Sequence, residues 1–384
     1  MTEDGIFVPF SAPGDVLEID GEGKRGTIAR VVEPSPDRVT PPCAHFGVCG
    51  ACQTQHIAHD AYRVWKRSLV LRALEAAGIT AEVAPLVDAH GEGRRRVTLA
   101  LKNGVAGYHR RGSHEVMAAT MCPILTPGLG GALAFAQALA DEMPHKWLSL
   151  LVTATQSGMD ADIKGPLHGN ARLNARLAAI ARDHGVARLT AEREPLALFR
   201  APQIGMGAVA IATLPPGAFL QATAKGEEVL AGLVLDGVKR ARKVADLFCG
   251  IGPFAVRLAV RAQVYAADSD ADAIASLRKT AALPGLKPVT AERRDLFRRP
   301  LARIELEPFD AVVFDPAFDG AAAQSVELAR SGVPRIVAVS CNPQTFARDA
   351  ATLIAGGYAL TRVTPVDQFL YSPHVELVAT FQRD

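Results

Sequence analysis

Two reactive side chains stand where apolar runs stop or start. Cys341 lies in Ser340-Cys341-Asn342-Pro343, and Asn342-Pro343 halts the run and turns the chain. A thiol at the carboxyl end of a strand is a candidate nucleophile. A lone cysteine is more often a small buried apolar residue, and Cys249, inside a glycine loop, reads that way. Glu376 opens the last apolar run, in His374-Val375-Glu376, and could act as a general base. Read alone, it would be an edge-strand carboxylate in water.

A glycine turn and a series of acids surround these residues. Asp246-Leu247-Phe248-Cys249-Gly250-Ile251-Gly252 ends one predicted strand. Gly250 and Gly252 would let the backbone pass close to a ligand, and Asp246 could hold a ligand ammonium. The third glycine of the dinucleotide fingerprint is missing. Asp268 follows the next strand, placed for ribose hydroxyls, and Asp295 follows the third, near where an adenine amine could lie. Asp315 follows the fourth, in Phe314-Asp315-Pro316-Ala317. Each acid alone reads as an ordinary turn residue. The ordered set fits S-adenosylmethionine.

Cys43, Cys49 and Cys52 form a C-x5-C-x2-C cluster, with Cys122-Pro123 as a distant fourth. Four thiolates suit an iron–sulfur cluster or zinc. Zinc sites more often pair two short C-x2-C knuckles, so this spacing leans towards [4Fe-4S]. Arg94, Arg95, Arg96, Lys102, Arg110 and Arg111 crowd one stretch without an acid, and Tyr108 and His109 are interleaved. Such a stretch would attract a phosphate backbone. Lys239-Arg240, Arg242-Lys243 and Arg298-Arg299 add charge elsewhere.

The elements that must position these groups fall into three parts. Residues 1–40 predict short strands at Phe7–Pro9, Val16–Ile19 and Thr27–Val32, too few for a free-standing sheet. Residues 41–213 read as an α+β middle domain, with a helix over His56–Ala77 that could pack on the catalytic domain. From residue 214 to 384 strands and helices alternate, which predicts a parallel, doubly wound sheet. Its strands are expected at Val244–Phe248, Gln263–Ala267, Val289–Glu292, Ala311–Phe314, Arg335–Val339, Arg362–Val366 and Glu376–Phe381. No helix separates the last two, so they are expected as an antiparallel hairpin at the sheet's edge.

Composition agrees with a folded multi-domain chain. The 384 residues are 49% hydrophobic and 21% charged, and the net charge of +2 excludes a global field as the means of holding an acidic partner. Prolines and glycines interrupt the longest uncharged run, Met117–Ala140, which excludes a clean spanning helix there. The acidic start, Met1-Thr2-Glu3-Asp4, has no apolar signal core. Free thiols and no signal core lead to the expectation of a reducing, cytoplasmic setting.

Together these residues resemble the RNA uridine-5 methyltransferases. The resemblance rests on Pro34-Ser35-Pro36-Asp37-Arg38, the four cysteines, Phe219-Leu220-Gln221, the Asp246–Gly252 turn, Ser340-Cys341-Asn342-Pro343, Asp367-Gln368-Phe369 and His374-Val375-Glu376. It implies a class I Rossmann-like methyltransferase domain, a central domain carrying the four-cysteine cluster, and a short TRAM-like or OB-like β-module, shorter than the family's. It implies Gln221, Asp268 and Asp295 as cofactor-binding residues, with Asp315 between cofactor and base. It also implies attack of Cys341 on C6 of uracil, methyl transfer to C5, and removal of the C5 proton by Glu376. The cysteine set is similar to the iron–sulfur branch that acts on 23S rRNA, where the cluster serves structure or RNA folding. RNA is the implied partner, with no membrane and no obligate protein partner.

Three departures stand against the resemblance. Asp315-Pro316-Ala317-Phe318 replaces the usual Asp-Pro-Pro-Arg, Thr223 replaces an asparagine after Gln221, and the β-module is short. The alternatives are a transfer-RNA enzyme, a non-catalytic RNA-binding protein on the same fold, and a cytosine-5 methyltransferase. The third would commonly place a second cysteine where Ala317 stands. A pure binder needs neither Cys341 nor Glu376.

Overall fold

The computed structural model describes residues 5–21, 23–167 and 170–383. Met1 to Asp4, read above as lacking a signal core, lie outside the described residues.

The larger sheet has eight strands: β1 (Val87–Asp88), β2 (Lys243–Leu247), β3 (Gln263–Asp268), β4 (Val289–Arg293), β5 (Ala311–Phe314), β6 (Arg335–Ser340), β7 (Ala359–Asp367) and β8 (Glu376–Gln382). Their order is β4-β3-β2-β5-β6-β8-β7-β1. Strands β2 to β6 pair in parallel. The chain moves outward from β2 to β4, then returns so that β5 pairs on the other side of β2. That reversal puts a topological switch between the carboxyl ends of β2 and β5, where ligand crevices form in open α/β sheets.

Both sheet faces are covered, which is why these strands read as nearly continuous apolar runs. Side chains alternate between the faces. Val244, Val313, Val337 and Val339 pack into the core on one side. Ala245, Leu247, Val312, Phe314, Ile336 and Ala338 pack into the other. The expected hairpin forms, since β7 and β8 pair antiparallel. Its placement differs from the expectation: β8 inserts between β6 and β7, and β1 takes the outer position. Glu376 therefore opens an interior strand.

The helix His59–Ala76 starts three residues later than predicted, because His56 is buried against the N-terminal ribbon and its ring nitrogen faces the Ser11 carbonyl. Val70, Ala73 and Leu74 from this helix enter the core of the larger sheet. A seven-stranded mixed sheet spans residues 96 to 198, with the helices Ala132–Glu142 and Ala171–Asp183 packed on it. The N-terminal segment forms a two-stranded ribbon, Val16–Asp20 against Thr27–Glu33. The strand expected at Phe7–Pro9 is a single bridge from Phe7 to Arg25. The described residues do not close an OB-like barrel there. The ribbon leans on the cysteine segment, with the Phe10 ring 4.9 Å from that of Phe46. Among the described residues no helix is long and apolar enough to cross a membrane.

Candidate functional site

The glycine turn after β2 is built from left-handed backbone. Phe248, Gly250 and Gly252 have φ of 61°, 54° and 85°, a region that costs a residue with a Cβ. The two glycines do different jobs. A Cβ on Gly252 would lie 2.4 Å from Leu277, so this glycine lets the turn pack on the helix Ala271–Ala281. A Cβ on Gly250 would meet nothing within 4 Å, so its surface faces open space at the switch point. Cys249 is buried in the core, as its place in the turn implied.

The acids flank this turn. Asp246 is fully buried on the face of Val244; among the described residues no side chain bonds to its carboxylate, and only the Ala255 backbone N–H opposes the cost of burying it. Burial pushes it well above its ordinary pKa, and the charges of Asp315 and Asp268 add to this. A buried carboxyl so placed beside an open glycine turn fits an arriving ammonium. Asp268 Oδ2 accepts the Gly250 N–H at 2.9 Å, locking the end of β3 to the turn. Asp295 is exposed, and its Oδ1 accepts the N–H groups of Phe297 and Arg298 at 3.1 and 3.2 Å.

Across the switch, four polar side chains form one chain, in which Gln221, Gln368 and Glu376 are buried and Asp315 is partly buried. Gln221 Nε2 donates to Asp315 Oδ2 at 2.9 Å. Gln368 Nε2 donates to Gln221 Oε1 at 2.6 Å and to Glu376 Oε2 at 2.9 Å. Burial pushes Asp315 up to about 7, against the hydrogen bond from Gln221. Burial, with the charge of Asp315, pushes Glu376 up to about 8.

Cys341 sits between the end of β6 and the helix Pro343–Ala355. Asn342 caps that helix, its Oδ1 accepting the Gln344 N–H at 3.0 Å, and Pro343 occupies the first turn. The cap holds Cys341 at a fixed exit from the strand. The thiol is half-buried; burial, then the charges of Glu376 and Asp315, push it up to about 12. Positive charge brought beside it would favour the thiolate.

Sequence reasoning assigned no role to Gln368, although it lies in Asp367-Gln368-Phe369 beside the strand that carries Glu376. It also passed over Lys66. This fully buried ammonium donates to Asp367 at 2.8 Å, to the Phe369 carbonyl at 3.0 Å, and to the His374 carbonyl. Lys66 thereby clasps both ends of the loop before Glu376. Tyr62, one helical turn earlier, donates to Asp367 at 2.6 Å. Burial would raise Asp367, but hydrogen bonds from His90, Lys66 and Tyr62, with the charge of Lys66, hold it at about 2. The i, i+4 spacing of Tyr62 and Lys66 was the available signal. Thr223 is buried and caps the helix Ala224–Val238, accepting the Gly226 N–H at 2.8 Å.

The basic stretch divides. Arg95 is 7% exposed; it donates to Glu227 at 2.5 Å and to the Gln221 carbonyl at 3.0 Å. Glu227 also accepts from Arg257 at 2.9 Å, so it lies between two buried guanidinium groups. The expectation that Arg95 faces RNA is corrected: it stands in the bend before the strand Arg96–Lys102, and its bonds to Glu227 and to the Gln221 carbonyl hold it inward. Arg94 and Arg96 are partly buried over the rings of Phe369 and Phe219, at 5.8 and 5.5 Å. Arg110 and Arg111 are exposed. Arg298 stands beside Asp295, 3.6 Å away, whereas Lys239, Arg240, Arg242 and Lys243, with Arg261 and Lys287, line a cavity of about 550 Å³ at the amino ends of β2 and β3. That is the opposite end of the sheet from the acids.

Cys43, Cys49, Cys52 and Cys122 are free and partly buried. They converge: burial, then the charges of Cys122, Cys49 and Cys43, push Cys52 up to about 11, against a hydrogen bond from Gln55. The expected closed ligand set does not form. Among the described residues no group of three or more His, Cys, Asp or Glu side chains is arranged to hold a metal ion. These cysteines stand in turns and irregular segments, so no strand or helix ladder aligns their thiols.

Comparison with known proteins agrees with this geometry. Residues 211–383 match the tRNA (Uracil-5-)-methyltransferase family. The chain is 44% identical to an uncharacterized RNA methyltransferase of Brucella suis biovar 1 (strain 1330), over 98% of this chain and 92% of the relative. It is 32% identical to the 23S rRNA (uracil(1939)-C(5))-methyltransferase RlmD of Alkalilimnicola ehrlichii, over 99% of this chain and 92% of the relative. The fold is similar to the crystal structure of the Pyrococcus abyssi tRNA (uracil-54, C5)-methyltransferase in complex with S-adenosyl-L-homocysteine. That match has a TM-score of 0.74 and 24% identity, covering 98% of this chain and 96% of that one. With these matches over nearly its whole length, the chain belongs to the S-adenosylmethionine-dependent RNA (uracil-5)-methyltransferase family.

Proposed function

We propose that the chain methylates C5 of a uridine in 23S rRNA through a covalent adduct between Cys341 and C6 of the base. The observation that carries this reading is the placement of Cys341, Asp315 and Glu376 about one crevice: the Cys341 thiol feels the charges of both carboxyls, and Glu376 feels that of Asp315. C5 of uracil is a weak nucleophile. Addition of a Cys341 thiolate to C6 gives C5 enolate character, and C5 would then take the methyl carbon as the bond from that carbon to the sulfonium sulfur breaks, its electron pair leaving on a neutral thioether. Bound S-adenosylmethionine supplies an electrophilic methyl group on a cationic sulfonium. Asp246 would hold its ammonium, the backbone at Gly250 would lie against it, and Gln221, Asp268 and Asp295 would bind the rest. Glu376, once ionised, takes the C5 proton, and the electron pair left at C5 expels the Cys341 thiolate. Asp315, held by Gln221, positions the uracil. The base must be unpaired or flipped to reach these groups.

The ribosomal substrate is favoured by the four converging cysteines and by the relative acting on 23S rRNA over nearly the whole length. Arg110 and Arg111 are the exposed cations for its phosphates. A [4Fe-4S] cluster with a structural role would have to draw Cys43, Cys49, Cys52 and Cys122 into the closed set that they do not form without it; what supports it is the donor chemistry, four thiols without a disulfide. Protein purified without oxygen should be brown and contain iron and sulfide; colourless protein carrying zinc would overturn the cluster assignment.

The substrate test is methyl transfer from labelled S-adenosylmethionine to unmodified 23S rRNA and tRNA transcripts in parallel, with Cys341→Ala as control. Label in 5-methyluridine of the ribosomal transcript alone, lost in the variant, is expected. Label in tRNA alone would contradict the substrate.

A further inference from the structure

We infer that Phe318 and His374 form a stacking platform for the nucleotide next to the target uridine, at the rim of the catalytic crevice. The inference rests on the reading of the chain as an RNA (uracil-5)-methyltransferase and adds a specificity element to it. Phe318 stands three residues beyond Asp315, where the resemblance leads one to expect an arginine, and its side chain is free for another role.

Phe318 is 53% exposed, which is unusual for a ring so close to buried catalytic acids. Its backbone is nevertheless fixed. The Phe318 carbonyl accepts from Asn342 Nδ2 at 3.1 Å and from Thr345 Oγ1 at 3.2 Å, the first of these being the residue after Cys341. His374 stands two residues before Glu376, and its carbonyl is held by Lys66. The rings of Phe318 and His374 meet edge to face, with centroids 6.2 Å apart and planes at 84°. One ring therefore comes from the loop that follows Asp315 and the other from the loop that precedes Glu376. Their pair spans the mouth of the site between the two acids.

The array continues. His374 contacts Phe369 edge to face at 6.0 Å, and the Arg94 guanidinium lies 5.8 Å from the Phe369 ring. Rings interleaved with a cation are the recognition chemistry of single-stranded nucleic acid, where bases stack and phosphates pair. The depth of the groups decides which nucleotide is held. Glu376 is 2% exposed, so the target base must pass inward, and a ring left at the rim meets its neighbour.

The test separates a stacking face from simple packing. Phe318→Leu keeps apolar bulk and removes the π-face; Phe318→Trp restores it. The probe is an oligoribonucleotide with one unpaired uridine and 2-aminopurine beside it. We expect quenching of 2-aminopurine by the wild type and by Phe318→Trp, and its loss in Phe318→Leu. We also expect KM for the unmodified transcript to rise about 5- to 100-fold in Phe318→Leu, with kcat within about twofold and cofactor affinity unchanged. Wild-type quenching and KM in Phe318→Leu would overturn the inference, and so would a KM rise that Phe318→Trp fails to reverse. The quenching needs no turnover. Failure of methyl transfer by the wild type would sink the proposed function, while the quenching still decides the platform.

Discussion

Gln368 holds Glu376 through one amide N–H, 2.9 Å from its Oε2. The same nitrogen reaches Gln221, and Gln221 holds Asp315, so two amides link the buried carboxyl of Glu376 to the partly buried one of Asp315. A general base must stand in hydrogen-bond reach of its proton, and a positioned base contributes about 10²–10⁴-fold. Gln368→Leu is expected to slow release of the RNA adduct by about tenfold or more while leaving adduct formation intact. Single-turnover kinetics would show this, and a uniform slowing of both steps would count against the assignment.

The pKa of Glu376 gives the reaction a pH dependence of defined sign. The carboxyl, pushed up to about 8, must ionise to accept the C5 proton, so kcat should rise with pH through that region. Stability moves the other way. Between the ordinary glutamate value and about 8, the folded protein holds more protons here than the unfolded chain, so stability falls as pH rises through that window. Glu376→Gln removes this contribution. Its denaturation midpoint relative to wild type should climb from pH 5 to pH 8, and a constant difference would show that Glu376 has no raised pKa.

Arg95 and Arg111 lie in one basic stretch and should respond differently. Removing Arg95 leaves Glu227 with one of its two buried partners, a loss of about 3–5 kcal/mol. Arg95→Ala should therefore lower the urea midpoint. Arg111 is exposed over the Phe10 ring at 4.3 Å. Arg111→Ala should leave stability nearly unchanged and reduce the salt dependence of RNA affinity by about one charge.

Lys66 and Asp367 form a fully buried pair. Lys66→Met leaves Asp367 with only neutral donors and His90, and should cost about 3–5 kcal/mol. Lys66→Met with Asp367→Asn should be less damaging than the sum of the single changes, which a double-mutant cycle by urea denaturation would measure. Strict additivity would mean that the pair is not coupled.

The parallel strands were legible because burial on both faces leaves apolar runs of the right length, as at Ala311–Phe314. The strand-end acids followed from those runs. Strand order was not legible: nothing local to Glu376 says that its strand lies between β6 and β7, so it read as an edge residue. Long-range partners were equally hidden. Arg95 meets Glu227 from 132 positions away, and Lys66 meets Asp367 from 301. Of the three arginines only Arg96 belongs to a strand, and which of them turns inward depends on partners that lie more than a hundred positions away. Thr223 read as a poor ligand because its capping of the next helix depends on where that helix begins.

The central claim is that Cys341 bonds to C6 of the target uracil. It is tested most directly with 23S rRNA transcript in which uridine is replaced by 5-fluorouridine, incubated with S-adenosylmethionine and analysed under denaturing conditions. Fluorine at C5 cannot leave as a proton, so the adduct cannot resolve. A protein–RNA complex that survives denaturation, with the RNA mapped to Cys341 and absent from Cys341→Ala, is the expected result. Methyl transfer to normal transcript by Cys341→Ala, or a complex that forms without Cys341, would contradict it.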